Sequence, residues 1–92
     1  MDPQRLDHAL ERAFDGSEGE RRAVVRCAVD LADSGHLAAD RGAELTVETV
    51  VAELADAPEG SSLSDRWNWW VGSLAVAYGD EYAQFGVRQY EE

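Results

Sequence analysis

The strongest constraint on the fold comes from residues 21–34, where apolar side chains spread over a wide arc of the helical wheel. At about 100° per residue the arc covers roughly 200°. Its members are Val24, Val25, Cys27, Ala28, Val29, Leu31 and Ala32. A helix with so wide an apolar surface needs neighbours on two sides, so we predict that it is the central helix of the domain. Ser17 and Glu20 fit the capping-box pattern at its start, and Gly35 is placed to end it.

Three further segments repeat apolar residues with the i, i+3, i+4 spacing of amphipathic helices. Each segment is bounded by residues that favour the start or the end of a helix. The boundaries are Asp2-Pro3 and Gly16 for the first, Thr46 and Pro58 for the second, and Ser62 or Ser64 with Gly79 for the third. The spacing therefore predicts four helices in all.

The segment after Thr46 leaves a local alternative open, because residues 45–51 are rich in valine and also suit a strand. We favour a helix, since the adjacent Val50 and Val51 break strand alternation and Leu54 continues the helical spacing. The stretch before it, residues 36–45, is predicted as a connection with room for one helical turn.

The C-terminal residues 80–92 fit two structures. Tyr82, Ala83 and Phe85 suit a turn packed on the core, while the alternation from residue 82 onward also suits a strand. A single strand without a partner forms no sheet, so we predict a turn followed by an extended tail.

The chain has 92 residues, of which 45% are hydrophobic, and fits a single domain over 1–92. The sequence thus predicts an all-α fold, a compact four-helix domain with room for a short fifth helical turn and with an extended C-terminal tail.

The chain is strongly acidic, with 19 Asp and Glu against 8 basic residues and a net charge of −11. Every basic residue is arginine, lysine and isoleucine are absent, and alanine occurs 14 times. Carboxylates hold water and cations, which keeps a protein soluble in concentrated salt. In dilute buffer their unscreened repulsion loosens the compact state. The acidic balance also argues against nucleic-acid binding, because phosphate contacts need a basic surface.

Several classes of protein are disfavoured by what the sequence lacks. No apolar run approaches the roughly 20 residues of a membrane span, and the first ten residues have neither the basic nor the apolar region of a signal peptide. A single cysteine, Cys27, excludes an internal disulfide framework. We expect a cytoplasmic protein with no membrane partner.

Residues 67–70 place three tryptophans in four positions, and these cannot all face one side of a helix. Trp67 and Trp70 align with Leu74 and Tyr78, and we predict that this face lies in the core. Trp69 points roughly 200° away from Trp67. Exposed tryptophan is typical of interaction surfaces. The residues predicted to contact a partner are Trp69, Gly72, Val76, Tyr82, Phe85 and Tyr90. The alternative is that another part of the chain covers this side of the helix.

The stretch RWNWW…AYGDEYAQF, together with the acidic, lysine-free composition, resembles small proteins of haloarchaea. The stretch covers roughly the last third of the chain. The resemblance implies adaptation to salt and transfers no catalytic residue, because the similar proteins have no known activity.

Few residues could act in catalysis or bind a metal. His8 lies near Asp7 and Glu11 in the sequence, and His36 lies near Asp33 and Asp40. Neither group has the ligand spacing of a zinc site, so we expect both to be solvated polar faces. Cys27 lies within the apolar arc of the central helix, where a thiol behaves as a small hydrophobe. No phosphate-binding or nucleophile motif occurs, so we expect no metal, no cofactor and no small-molecule substrate.

The sequence therefore favours a non-enzymatic protein–protein interaction or homo-oligomerising module. One alternative is a DNA-binding, transcription-associated domain that uses Arg21, Arg22, Arg26 and Arg66. A third hypothesis is a small metal-binding protein or enzyme built on the two histidines.

The charge balance predicts a dependence of stability on salt. When KCl is raised from millimolar to molar, the Debye length falls to about 3 Å, and repulsion among the excess carboxylates is screened. We expect the melting temperature, followed by circular dichroism, to rise over this range. A flat or falling melting temperature would contradict the salt-adapted interpretation.

Overall fold

The structure is a computed structural model that describes residues 1–88. Its elements are α1 (Pro3–Ala13), α2 (Glu18–Ser34), α3 (His36–Arg41), α4 (Val47–Ala55), α5 (Leu63–Tyr78) and a 3₁₀ helix (Asp80–Phe85). The described residues contain no strand, so the predicted all-α class is confirmed. The four predicted helices correspond to α1, α2, α4 and α5, and the two shorter elements lie in the segments where a helical turn was expected.

Side-chain caps determine where four of the helices begin. Asp2 accepts hydrogen bonds from the backbone amides of residues 4 and 5, and Ser17 accepts one from the amide of Glu20. Thr46 caps α4 in the same way, and Ser62, rather than Ser64, caps α5. These bonds satisfy amides that a helix start otherwise leaves unpaired.

Helix α2 ends where the local sequence predicts, whereas α1 ends three residues before its predicted stop. Helix α2 ends at Gly35, whose φ of 76° lies in the left-handed region that favours glycine. Helix α1 ends at Ala13, before the predicted stop at Gly16, because Phe14 leaves the helix in an extended conformation. The Phe14 ring packs against the core, and the Arg66 guanidinium lies over it with 5.0 Å between its carbon and the ring centroid.

Helix α2 is the centre of the core. It contacts α1, α3, α5 and the 3₁₀ helix. Four of its apolar side chains are buried, namely Val24, Val25, Ala28 and Leu31. Three others, Cys27, Val29 and Ala32, are partly buried against the same cluster. Neighbouring elements therefore cover the wide apolar arc, and α2 is the central helix that the sequence predicted.

Helix α4 confirms the helical alternative for the valine-rich segment. Val47, Val50 and Leu54 are buried, and the helix packs against α1 and α5. β-branched residues lower helix propensity, so this packing stabilises the element.

None of the helices within residues 1–88 combines the length and apolar composition that crossing a bilayer requires.

Glu20 is the one acidic residue within residues 1–88 whose side chain is buried. It does not complete the capping box of its own helix. One of its carboxylate oxygens accepts hydrogen bonds from the backbone amide and the hydroxyl of Ser64, both at 2.8 Å. The carboxylate thus joins the start of α2 to the start of α5, where the helix dipole favours a negative charge.

This contact predicts the effect of removing the buried carboxylate. Glu20→Ala removes the acceptor of the buried Ser64 amide and leaves the Ser64 hydroxyl with only its 3.3 Å contact to the Ser62 hydroxyl. We expect a loss of about 2–3 kcal/mol in the free energy of unfolding. Glu18→Ala is the control, because Glu18 pairs with Arg22 at the surface and its loss should cost less than about 0.5 kcal/mol. Urea denaturation in molar KCl measures both. Equal losses for the two variants would contradict this account.

Candidate functional site

The four residues Trp67–Trp70 divide between the core and the surface of α5. Trp67 and Trp70 are buried, and their rings meet edge to face with 5.4 Å between centroids. Trp69 is 40% exposed on the opposite side of the helix. The predicted division of the three tryptophans is therefore confirmed.

Trp67 and Asn68 fix the segment that follows the 3₁₀ helix. The Trp67 indole Nε1 donates a hydrogen bond to the carbonyl of Phe85 at 2.7 Å. The Asn68 amide nitrogen donates to the carbonyl of Val87 at 2.9 Å, and the Asn68 Oδ1 accepts from the amide of Val87 at 2.7 Å. We call this pair of side chains the backbone clamp, because all three bonds go to main-chain atoms.

Trp70 is a packing residue with one unpaired polar atom. Its Nε1 is the only fully buried side-chain nitrogen or oxygen in the described part of the chain that has no hydrogen-bond partner. The Arg41 guanidinium lies over the indole, with its carbon 5.8 Å from the ring centroid, a cation–π arrangement. Burial of the large ring and this contact offset the cost of the unpaired donor.

A narrow surface along α5 carries apolar and small side chains but no charge. We call it the outer strip; it consists of Trp69, Gly72, Ser73 and Val76. Trp69 and Val76 are 40% and 91% exposed, and apart from the adjacent residues and the backbone of α5 itself, no atom lies within 4 Å of the position where a Cβ at Gly72 would be. The described chain therefore leaves this strip open, instead of sealing it beneath other elements.

The model of the WNWW domain family matches residues 1–75. The chain belongs to the WNWW domain family. The letters of the family name occur in order at residues 67–70, which we now call the WNWW motif. No curated protein and no solved structure matches the chain. Within the WNWW motif, three residues have contacts that explain them structurally, and Trp69 is the residue that points out of the domain.

Two of the predicted contact residues lie in the core instead of on the surface. The side chain of Tyr82 is fully buried and that of Phe85 is 8% exposed. The reason is the 3₁₀ helix, which packs against α5 and α2 and carries both rings inward. The remaining prediction in this segment, Tyr90, lies outside the described residues.

One predicted core residue lies at the surface. Tyr78, in the last turn of α5, is 40% exposed. This turn lies at the edge of the core, where the Tyr78 ring lies beside that of Tyr82 with 5.9 Å between centroids.

Most of the arginines in the predicted nucleic-acid set make contacts within the domain. Arg21 pairs with Asp7 and Glu11, each at 3.4 Å. Arg22 pairs with Glu18 at 3.1 Å.

The other two arginines of that set lie on different helices and differ in exposure. Arg66 donates to the carbonyl of Leu54 at 3.0 Å and stacks on Phe14, so it is held inside the fold. Arg26 is exposed on α2. The four guanidinium groups therefore do not form a continuous free surface.

The side chains of His36 and Cys27 are partly buried and pack against other residues of the domain. The His36 ring lies 6.0 Å from that of Tyr82 and 5.9 Å from that of Phe85. Burial, and then the nearby Asp30, raises the pKa of the Cys27 thiol, which favours the protonated form over the nucleophilic thiolate. Within residues 1–88, no group of three or more His, Cys, Asp and Glu side chains is arranged to hold a metal ion.

Sequence reasoning missed the roles of Glu20 and Asn68, which both depend on contacts between distant segments. Asn68 did carry a signal. Asparagine is a poor helix former, yet it stands within a predicted helix between two tryptophans. Such a residue suggests that its amide makes a specific bond outside the helix.

The environment of Tyr82 predicts a loss of stability in alkali. Burial, and then a 2.6 Å hydrogen bond to Asp40, raises the pKa of the Tyr82 hydroxyl above its ordinary value of 10.0. The folded state thus keeps the proton that the unfolded chain loses, so this contribution is complete below pH 10 and declines as pH rises further. We expect Tyr82→Phe to lower stability by about 1 kcal/mol at neutral pH and to flatten the alkaline decline.

Urea denaturation at a series of pH values from 8 to about 12 measures this decline. Tyr78→Phe, at the exposed ring, is the control and should keep most of the decline, because the Tyr78 hydroxyl contributes less to the raised pKa of Tyr82 than burial and Asp40 do. An equally steep decline in Tyr82→Phe would contradict the assignment.

Proposed function

We propose that this chain is a non-enzymatic protein–protein interaction module and that a second copy of the chain binds its outer strip. The observation that carries the proposal is the 40% exposure of Trp69 on an uncharged surface in a chain of net charge −11. Tryptophan is enriched at the energetic centres of interfaces, and a charge-free surface is where two equally acidic copies approach with least repulsion.

The spacing of the outer strip is self-complementary. A two-fold axis midway between Gly72 and Ser73, with the helices antiparallel, places Trp69 of one copy opposite Val76 of the other. Gly72 then faces Ser73, so the backbones come close where the side chains are small. Each copy thus contributes the same surface, as a symmetric dimer requires.

The size of the strip bounds the strength of the contact. One pair of crossed helices buries less than the roughly 1,200–2,000 Å² of a standard stable interface. We therefore expect a reversible dimer with a dissociation constant in the micromolar range or weaker, which distinguishes it from an obligate oligomer.

Salt should tighten this association. Asp65 lies on the same side of α5 one turn before Trp69, and two copies that each carry a net charge of −11 repel each other. Salt screens this repulsion. DNA binding would show the opposite dependence, because phosphate contacts weaken as salt rises. The internal ion pairs of Arg21 and Arg22 give no support to that alternative.

We also propose that the domain works in concentrated salt, in the cytoplasm of a halophile. What supports this proposal is the acidic composition and its distribution, since Glu20 is the one acid within residues 1–88 that the fold buries. Most of the other described carboxylates are exposed to solvent, where they bind water and cations.

The test of self-association compares two aromatic residues on the same helix. Trp69→Ala removes the centre of the outer strip, whereas Tyr78→Ala removes a ring that is also 40% exposed but lies on another side of α5. We expect Trp69→Ala to weaken the dimer by about tenfold or more, a hot-spot effect. Tyr78→Ala should leave dimerisation unchanged. Analytical ultracentrifugation over a concentration series in 0.1 M and 2 M KCl measures the dissociation constants.

Circular dichroism separates loss of binding from loss of folding. Because Trp69 is an exposed residue, its truncation should leave the helical signal and the cooperative transition intact. A monomer at all concentrations in the unaltered chain, or equal dissociation of both variants, would overturn the proposal that a second copy is the partner.

A further inference from the structure

We infer that the cleft at the end of α1, where α2 and α5 begin, binds a small zwitterion of the α-amino acid class. Such a ligand carries one ammonium group and one carboxylate. The cleft is open to solvent and has a volume of about 610 Å³, a size usual for small-molecule sites. It is lined by residues 11–16, Glu20, residues 60–62 and Arg66, and so shares no residue with the outer strip.

The inner wall of the cleft presents one free oxygen of a buried carboxylate. Glu20 is 6% exposed, and its Oε2 accepts both hydrogen bonds from Ser64. Its Oε1 has no hydrogen-bond partner among residues 1–88, yet it is not fully buried, so solvent in the cleft reaches it. A buried carboxylate is incompletely hydrated and gains most from a charged donor. The free oxygen therefore favours an ammonium group.

Gly16 keeps the space beside this oxygen open. The φ of Gly16 lies outside the positive region that favours glycine, so its backbone conformation does not explain the residue. A Cβ added at Gly16 would lie 3.0 Å from the Glu20 Oε1 and 3.4 Å from the Leu63 Cβ, closer than ordinary contact. The glycine is thus required by the space next to the carboxylate, as expected where a ligand approaches the backbone closely.

Two arginines of the cleft have donors to spare. Arg66 lies over the Phe14 ring and donates from Nη1 to the carbonyl of Leu54; its other nitrogens make no hydrogen bond within the described chain. Arg12 is exposed and forms no ion pair with any residue from 1 to 88. A guanidinium group binds a carboxylate through two parallel N–H donors. These side chains therefore suit the carboxylate of the ligand.

Charges of both signs line the cleft, which decides the net charge of the ligand. The carboxylates of Glu11 and Asp15 join that of Glu20, against the guanidinium groups of Arg12 and Arg66. A simple anion is repelled by the acids, and a simple cation leaves the arginines without an acceptor. A zwitterion has no net charge and pairs with both sets. These residues come from separate segments of the chain, so no sequence motif marks the cleft.

The experiment uses L-leucine and two analogues that each lack one of its charges. The amine 3-methylbutylamine lacks the carboxylate, and 4-methylpentanoate lacks the ammonium group. Each is titrated in molar KCl into the full ¹⁵N-labelled chain, and NMR follows the amides of Gly16 and Ser61. We expect saturable binding of leucine with a dissociation constant in the millimolar range, as a ligand of so few atoms allows. Either analogue should bind about tenfold more weakly or worse.

Two substitutions test the charges of the cleft separately. Glu20→Gln retains an oxygen for Ser64 but removes the charge that faces the ammonium group, and Arg12→Gln removes a donor for the carboxylate. We expect each to lower the affinity for leucine about tenfold. Glu18→Gln and Arg22→Gln are the matched controls, because these two residues pair with each other outside the cleft. Neither control should change the affinity.

The outcomes that contradict the inference are distinct. No saturable shift up to the solubility limit of leucine would mean that the Glu20 oxygen binds only water. Equal affinity for leucine and either analogue, or equal effects of the cleft variants and the controls, would also overturn it. If Glu20→Gln unfolds the domain, Arg12→Gln decides, because Arg12 is exposed. Every chain carries Trp69→Ala, so self-association does not interfere and either proposal can fail alone.

Discussion

The packing of α5 against α2 is the contact on which the rest of the domain depends. Glu20 joins the two helix starts through Ser64, and the buried face of Trp67, Trp70 and Leu74 continues the contact along α5. The other elements add to this pair: α1 and α3 cover further parts of α2, α4 packs on α5, and the 3₁₀ helix contacts both. Because α2 is apolar over so wide an arc, it cannot be stable until these neighbours are in place.

Local signals were sufficient to locate most of the helices. Caps such as Asp2, Ser17 and Thr46 act within a few residues of the amides that they bind, and Gly35 acts on its own backbone conformation. A sequence displays such short-range effects directly. The width of the apolar arc on α2 likewise predicted how many neighbours this helix has, because burial must cover whatever is apolar.

The parts that could not be predicted are contacts between distant segments. Glu20 matched a local capping pattern but reaches a residue 44 positions away, and nothing in its surroundings in the sequence indicates that choice. For Tyr82 and Phe85 the sequence allowed both a turn packed on the core and contact with a partner; the three-dimensional path of the 3₁₀ helix buries both rings. The exposure of Tyr78 has the same origin, since the sequence does not show where the core ends along α5.

The three indoles of the WNWW motif lie in three different environments. One is buried and donates a hydrogen bond, one is buried without a bonding partner, and one is in contact with water. Indole emission depends on the polarity around the ring and on the bonding of its nitrogen. The domain consequently carries built-in optical probes. Emission from Trp69 at the long-wavelength edge reports what approaches the outer strip, and emission from Trp67 at the short-wavelength edge reports whether its indole keeps the hydrogen bond to Phe85. Single replacements by phenylalanine would assign each component without any added dye.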